Sequence, residues 1–360
     1  MKLSETLGIV DIKQLNQLAS TYRCECNLNS KHELIQSLFV KLTRRSFYGE
    51  QFQRLSPKEK RFLLQLISDP KSTYSKSALY VKARCACERG QTDRTLIDQA
   101  LANGWLYRVN LQTESYVFPE DVRAGWRRCL LEQGREAVEP MPDAPELYRD
   151  DTFILAGDLY ILLTHLKENS LPLSKTGTLY RNHLVNIMKR FAVQEALPEK
   201  HEWRFGYGRR FRDYPDRFGL LYDFAYQQDL IEENAVLGLI LTEKGSMSIH
   251  PDKWNVQEVA QSLVTYWRKT FGKSISALDG LCILTGGICT EWTDEKMLAD
   301  YLSDWVTSFY YDTPVEIIKR RVLGMMVHTG LLRKGVSGES NTVYRFTVWG
   351  KSILSKLLNC

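Results

Sequence analysis

The chain has 360 residues, 44% of them apolar, and its 48 Lys and Arg face 43 Asp and Glu for a net charge of +5. That apolar share excludes a disordered chain, the length predicts two or three domains, and the mild basicity permits contact with a polyanion without requiring it. The start Met1-Lys2-Leu3-Ser4 lacks the apolar core of a signal peptide, and no run approaches the ~18 apolar residues of a membrane span. A soluble, cytoplasmic protein with no membrane contact is therefore expected.

The first 50 residues carry helical periodicity without strand signals, as Leu15, Leu18, Leu34, Leu38 and Leu42 show. Ser56-Pro57-Lys58-Glu59 is a capping box with proline at the first helical position, and Phe62, Leu63, Leu66 and Ile67 form the apolar side of the helix it opens. Helices are expected around Ser75–Cys85 and Thr92–Ala102, then a ribbon with Thr113-Glu114-Ser115 at its tip, then a helix opened by Pro119-Glu120-Asp121. Two C-x-C pairs, Cys24/Cys26 and Cys85/Cys87, fit tetrahedral zinc poorly, because one intervening residue strains chelation. Reduced thiols are the expected state, with no metal.

Between 134 and 151 stand Pro140, Pro142 and Pro145 with several acids and no periodicity, the pattern of a linker. A strongly apolar helix over Phe153–Leu166 follows. After the breakers Pro172 and Gly177 comes an amphipathic helix over Leu179–Phe191. Its Leu184, Ile187, Met188 and Phe191 form the inward stripe, leaving Arg181, Asn182, Asn186, Lys189 and Arg190 outside. Arg and Asn can contact guanine and adenine edges bidentately, so this is the candidate recognition helix; the alternative is an ordinary solvated face. Next, Lys200 to Arg217 interleaves Arg204, Arg209, Arg210 and Arg212 with Trp203, Phe205, Tyr207, Phe211 and Tyr214. Cations neutralise phosphates while aromatic and guanidinium planes stack on exposed bases. The competing reading is a loop whose arginines pair with Glu202, Asp213 and Asp216. Further on, helices are expected around Asp294–Tyr310 and Pro314–Thr329, with a ribbon turning over Gly335–Asn341.

A pattern recurs through these elements. Three helices stop at Asn103-Gly104-Trp105-Leu106, Gln228-Asp229-Leu230-Ile231 and Thr329-Gly330-Leu331-Leu332, and each stop leads into a ribbon. Two ribbons exit through Leu241-Thr242-Glu243-Lys244-Gly245 and Phe346-Thr347-Val348-Trp349-Gly350, with Thr242 and Thr347 placed to cap the next helix. A helix closed by a turn residue and followed by a ribbon is how a winged helix-turn-helix ends. The first unit offers Asp93 and Asp98 against Arg94 alone, a surface suited to packing or protein contact. In the third, Lys319, Arg320, Arg321, Arg333 and Lys334 could meet DNA or compensate helix charge.

Three segments stand out: Leu55-Ser56-Pro57-Lys58-Glu59-Lys60-Arg61-Phe62-Leu63-Leu64, the pairing of Leu101-Ala102-Asn103-Gly104-Trp105-Leu106 with Tyr116-Val117-Phe118-Pro119-Glu120-Asp121-Val122, and Leu173-Ser174-Lys175-Thr176-Gly177-Thr178-Leu179-Tyr180-Arg181-Asn182-His183-Leu184. Together they resemble bacterial helicase-associated proteins carrying the XPB-type (TFIIH-like) helicase accessory region. His183 departs from that family's pattern. The likeness spans roughly residues 50–250 and implies a non-catalytic, DNA-binding or helicase-partner role.

Enzyme signatures are missing from the sequence. Gly272-Lys273-Ser274 resembles the end of a P-loop, but Trp267 occupies the upstream glycine position. The expected fold is mainly α with small β-hairpins: tandem winged helix-turn-helix modules behind an N-terminal helical segment. The expected divisions are 1–50, 51–135, a linker 136–151, 152–252 and 253–360. The expected function is a non-enzymatic DNA-binding accessory protein that takes duplex or forked DNA and assists or recruits an XPB-like helicase, with no cofactor and no small-molecule substrate. A protein–protein scaffold and a transcription regulator are the alternatives.

Overall fold

The computed structural model describes residues 1–88, 90–110, 114–199, 208–338 and 341–358. It is mainly helical, with three small antiparallel sheets. One order of elements recurs: a helix, a short strand or bridge, two helices, then a two-stranded ribbon. In the first unit these are Pro57–Ile67, Thr73–Ser75, Lys76–Ala86, Thr95–Ala102, and the strands Tyr107–Asn110 and Ser115–Val117. In the second they are Ile154–Glu168, a bridge at Leu171, Arg181–Met188, Asp216–Gln227, and Ile231–Asn234 with Gly238–Leu241. In the third they are Leu278–Ile288, Thr293–Asp294, Glu295–Ser303, Pro314 to His328 with a π-helical stretch at Ile317–Leu323, and Leu332–Ser337 with Asn341–Phe346. Each time the short first strand or bridge joins the second ribbon strand, through Thr73↔Val117, Leu171↔Leu239 and Thr293↔Tyr344.

The three stops are built alike at atomic level. Gly104, Asp229 and Gly330 hold φ of +64°, +55° and +77°. The next residue's N–H reaches five back: Trp105 to the Ala100 carbonyl at 2.9 Å, Leu230 to Ala225 at 2.8 Å, Leu331 to Met326 at 2.8 Å. This left-handed residue with a six-to-one bond satisfies carbonyls that a helix end otherwise strands. Thr242 and Thr347 cap as expected, accepting from Gly245 N and Gly350 N at 2.9 Å each. Each hydroxyl also donates back to the stop residue's carbonyl, Asp229 O at 2.6 Å and Gly330 O at 2.8 Å. The Ser56–Glu59 capping box also forms.

Four helices, Leu3–Ile9, Ile12–Thr21, Lys31–Leu42 and Arg45–Phe52, form the N-terminal segment. It seats on the first unit through edge-to-face rings, Tyr48 on Trp126 at 5.3 Å and Trp126 on Trp105 at 5.5 Å. Such pairs add about 0.5–1.5 kcal/mol each beyond their burial. Gly125 makes room, because a Cβ there would overlap the Tyr48 ring.

The expected linker 136–151 is structured. Leu147–Asp150 forms an edge strand on Leu332–Ser337, and Met141 N donates to Trp292 O at 2.7 Å. Its exposed Leu147 and Tyr148 lack the alternation that marks a half-buried strand. Val256–Phe271 packs on Ile154–Glu168 and Asp216–Gln227 of the second unit and touches Leu278–Ile288 of the third, with Phe224 and Tyr266 rings 5.5 Å apart. The long helix Glu120–Ala137 lies against Leu278–Ile288, where Gly134 faces Ile288 and Gly287 faces Leu131, and Gly280 of the latter helix faces Leu64 of Pro57–Ile67. Contacts this close join the first and third units directly. Among the described residues no helix is long and apolar enough to cross a membrane.

Candidate nucleic-acid interface

The helix Arg181–Met188 buries Leu184, Ile187 and Met188, with Phe191 just beyond, while Arg181, Asn182, Asn186, Lys189 and Arg190 are all exposed. Its N-cap residue Tyr180 is extended and supplies no side-chain cap, so the first-turn N–H groups face outward with the positive end of the helix dipole. Beyond the helix end, Gln194 donates to the Met188 and Phe191 carbonyls at 3.0 and 2.8 Å. Arg190 Nη1 donates to His165 Nδ1 at 2.7 Å, and burial together with this guanidinium lowers the His165 pKa. Among the described residues none of Arg181, Lys189 and Arg190 forms an ion pair with a carboxylate. The stretch 169–194 contains no Asp or Glu at all. That acid-free run is the sequence signal that would have added Lys175 and His183 to this face.

The position of this helix in its unit differs from the expectation. Arg181–Met188 is the second helix, and the one leading into the ribbon is Asp216–Gln227. Of that third helix only Gln227 is exposed, so it cannot enter a groove of DNA. It lies between helices of the second and third units and is apolar on most sides, which erases the one-sided periodicity that reveals a surface helix.

The arginine-aromatic segment divides. Trp203, Arg204 and Tyr207, with the rest of 200–207, lie outside the described residues. Arg210 is 15% exposed and donates to both Glu233 carboxylate oxygens at 3.2 Å and to Thr176 O at 3.0 Å. Arg209 reaches Glu233 at 3.1 Å and lies over the Tyr226 ring at 3.8 Å. Burial would raise the Glu233 pKa, but hydrogen bonds from Tyr222 and Arg210 outweigh it and hold the carboxyl below its ordinary value. Arg212 is exposed, with its guanidinium over the Phe211 ring at 5.4 Å. Arg209 and Arg210 therefore have Glu233 as their acid partner and not Asp213, Asp216 pairs instead with Arg320 and Arg321, and Glu202 lies outside the described residues. Beneath them Asp223 accepts the Arg209 N–H at 2.7 Å, and burial pushes its carboxyl up to about 6.

Arg217 is not a surface cation. It is fully buried, with Nη2 2.6 Å from Asp158 Oδ2, Nη1 3.5 Å from Asp151 Oδ2 and 3.1 Å from His328 O. Glu195 caps this helix by accepting from the Arg217 and Phe218 N–H groups. Burial raises the carboxyls of Asp151 and Glu195 and drives His328 down to about 3. The network joins the second and third units.

Four of the third-unit cations singled out in the sequence are similarly occupied. Lys319 meets Glu295 at 3.3 Å, Arg320 and Arg321 meet Asp216 at 3.1 and 3.2 Å, and Arg333 meets Asp150 at 2.7 Å. In the first unit Asp93 accepts from Thr95 and faces Lys58 at 3.7 Å. Among the described residues no three His, Cys, Asp or Glu side chains are grouped to hold a metal ion. A scan of protein-family models and a search of curated proteins give no match to this chain.

Proposed function

We propose that the protein is a non-catalytic nucleic-acid-binding accessory protein made of three winged-helix units, and that it binds DNA through the second unit. The recurring order of elements, with the first strand or bridge on the second ribbon strand, fits the winged helix-turn-helix. The observation that carries the DNA reading is the exposed, acid-free face of Arg181–Met188, with three cations that have no acid partner among the described residues and two asparagines. Such a face gives phosphate contacts that fix position and a few side chains able to read base edges. Assistance to an XPB-like helicase is the partner role we attach to this reading, on the resemblance of the sequence alone.

The test is fluorescence anisotropy of the full chain with duplex and forked DNA over a salt series. Binding that weakens steeply with salt, and that is lost when Arg181, Lys189 and Arg190 are replaced with alanine, supports the reading. Equal binding by that variant sinks it. A protein-docking scaffold is the second reading, favoured by the carboxylate pairing of Lys319, Arg320, Arg321 and Arg333.

A further inference from the structure

The C-terminal end of Asp216–Gln227 and one face of Val256–Phe271 enclose an open groove of about 540 Å³. Its lining consists of amides, hydroxyls, one tyrosine and the ammonium groups of Lys269 and Lys273, with no carboxylate. Gln261, Thr265 and Lys269 recur every fourth residue, so they form one row along the helix, with members about 6 Å apart. That spacing is comparable to the distance between successive phosphates of an extended strand. Lys269 and Lys273 are exposed and have no carboxylate partner among the described residues. Gln227 and Gln228 face them across the groove, each able to donate and accept hydrogen bonds.

A second observation ties the groove to the face already described. Arg210 bonds Thr176 O in the loop just before Arg181–Met188, Arg209 shares Glu233 with Arg210, and Arg209 stacks on Tyr226 at 3.8 Å. Tyr226 immediately precedes Gln227 at the groove's edge, and Phe224 packs on Tyr266 in its wall. A guanidinium over a tyrosine is a flat platform of the kind on which unpaired bases stack.

We infer that this groove holds a single strand of nucleic acid, with Lys269 and Lys273 on its phosphates and the glutamines on its base edges. The stacked Arg209 and Tyr226 receive a base at the entrance, while the Arg181–Met188 face takes the adjoining duplex. This rests on the DNA-binding reading and makes the protein a reader of single-strand–duplex junctions. The site carries no chemistry; it recognises an anionic chain with exposed bases.

The experiment compares the full-length protein with a K269Q/K273Q variant on labelled oligothymidine, blunt duplex and forked DNA, by anisotropy over a salt series. The expected result is an oligothymidine Kd raised on the order of tenfold and a salt slope shallower by about 1.4, two single-strand phosphate contacts' worth, with blunt-duplex binding unchanged. Both lysines are exposed, so a thermal melt matching the wild type is expected as well. A Q227A/Q261A variant should weaken oligothymidine binding while leaving the slope alone, because it removes only uncharged contacts. Unchanged oligothymidine binding by K269Q/K273Q, or an equal loss on blunt duplex, overturns the groove assignment and leaves the duplex reading standing. A wild type that binds no DNA form overturns the duplex reading, and the groove assignment with it.

Discussion

Two basic stretches of the second unit are used in opposite ways. In 209–217 the guanidiniums of Arg209, Arg210 and Arg217 reach carboxylates, and Arg217 is sealed from solvent. In 181–190 the cations point outward with no acid among the described residues to hold them. The stretch richer in arginine and aromatic residues looks the better nucleic-acid binder on paper. Much of its charge serves to fix helices to one another. Charge count alone is a poor guide to a binding surface; what matters is whether each cation already has a partner.

Replacing Arg217 with methionine should have the largest effect on stability. It leaves Asp158 buried without a cation and Asp151 with Arg149 at 2.9 Å as its remaining arginine partner, at a cost of about 3–5 kcal/mol. Denaturant unfolding should show the midpoint falling, and a shift under about 1 kcal/mol would mean the network is wetter than its burial implies. Next comes R210A, which removes the two Arg210 hydrogen bonds to Glu233 at a cost of about 1–3 kcal/mol. Its duplex salt slope should match the wild type; a shallower slope would move Arg210 from the inward group to the outward one.

Asp223 gives a pH-dependent contrast. Its buried carboxyl titrates at about 6 in the folded chain against an ordinary 3.8. The stability it contributes is therefore complete below about pH 4 and is lost as pH rises through about 6. Between pH 4 and 7 the D223N variant should lose less stability than the wild type, as denaturant midpoints at both pH values would show. Parallel losses would mean that Asp223 is solvated.

The smallest stability effect belongs to the outward stretch. Substituting alanine for Arg181, Lys189 and Arg190 together should move stability by no more than about 0.5 kcal/mol. The same variant should flatten the duplex salt slope by about 2.7, three phosphate contacts' worth. A large loss of stability would show that these cations also work inward.

Several features of this structure were legible in the chain. Gly104, Asp229 and Gly330 mark left-handed stops because few residues tolerate that conformation, and Thr242 and Thr347 mark caps because their hydroxyls reach their own backbone. Leu184, Ile187 and Met188 identify the inward face of their helix because burial follows its period. Less legible was Asp216–Gln227, whose neighbours on most sides remove that period. The strand Leu147–Asp150 was hidden too, because an exposed edge strand need not alternate.

The sequence by itself determined where helices stop and start, which ribbons follow them, and which side of Arg181–Met188 faces solvent. These depend on groups within a few residues of one another. Tertiary structure alone decided that Arg217 is core, that Leu147–Asp150 completes a sheet, and that Lys269 and Lys273 face Gln227 and Gln228 across a groove. The partners of Arg217 lie 59 and 66 residues away in the chain. Local pattern carries no record of such meetings, because an ion pair's strength is set by burial and geometry that exist only once the helices have packed.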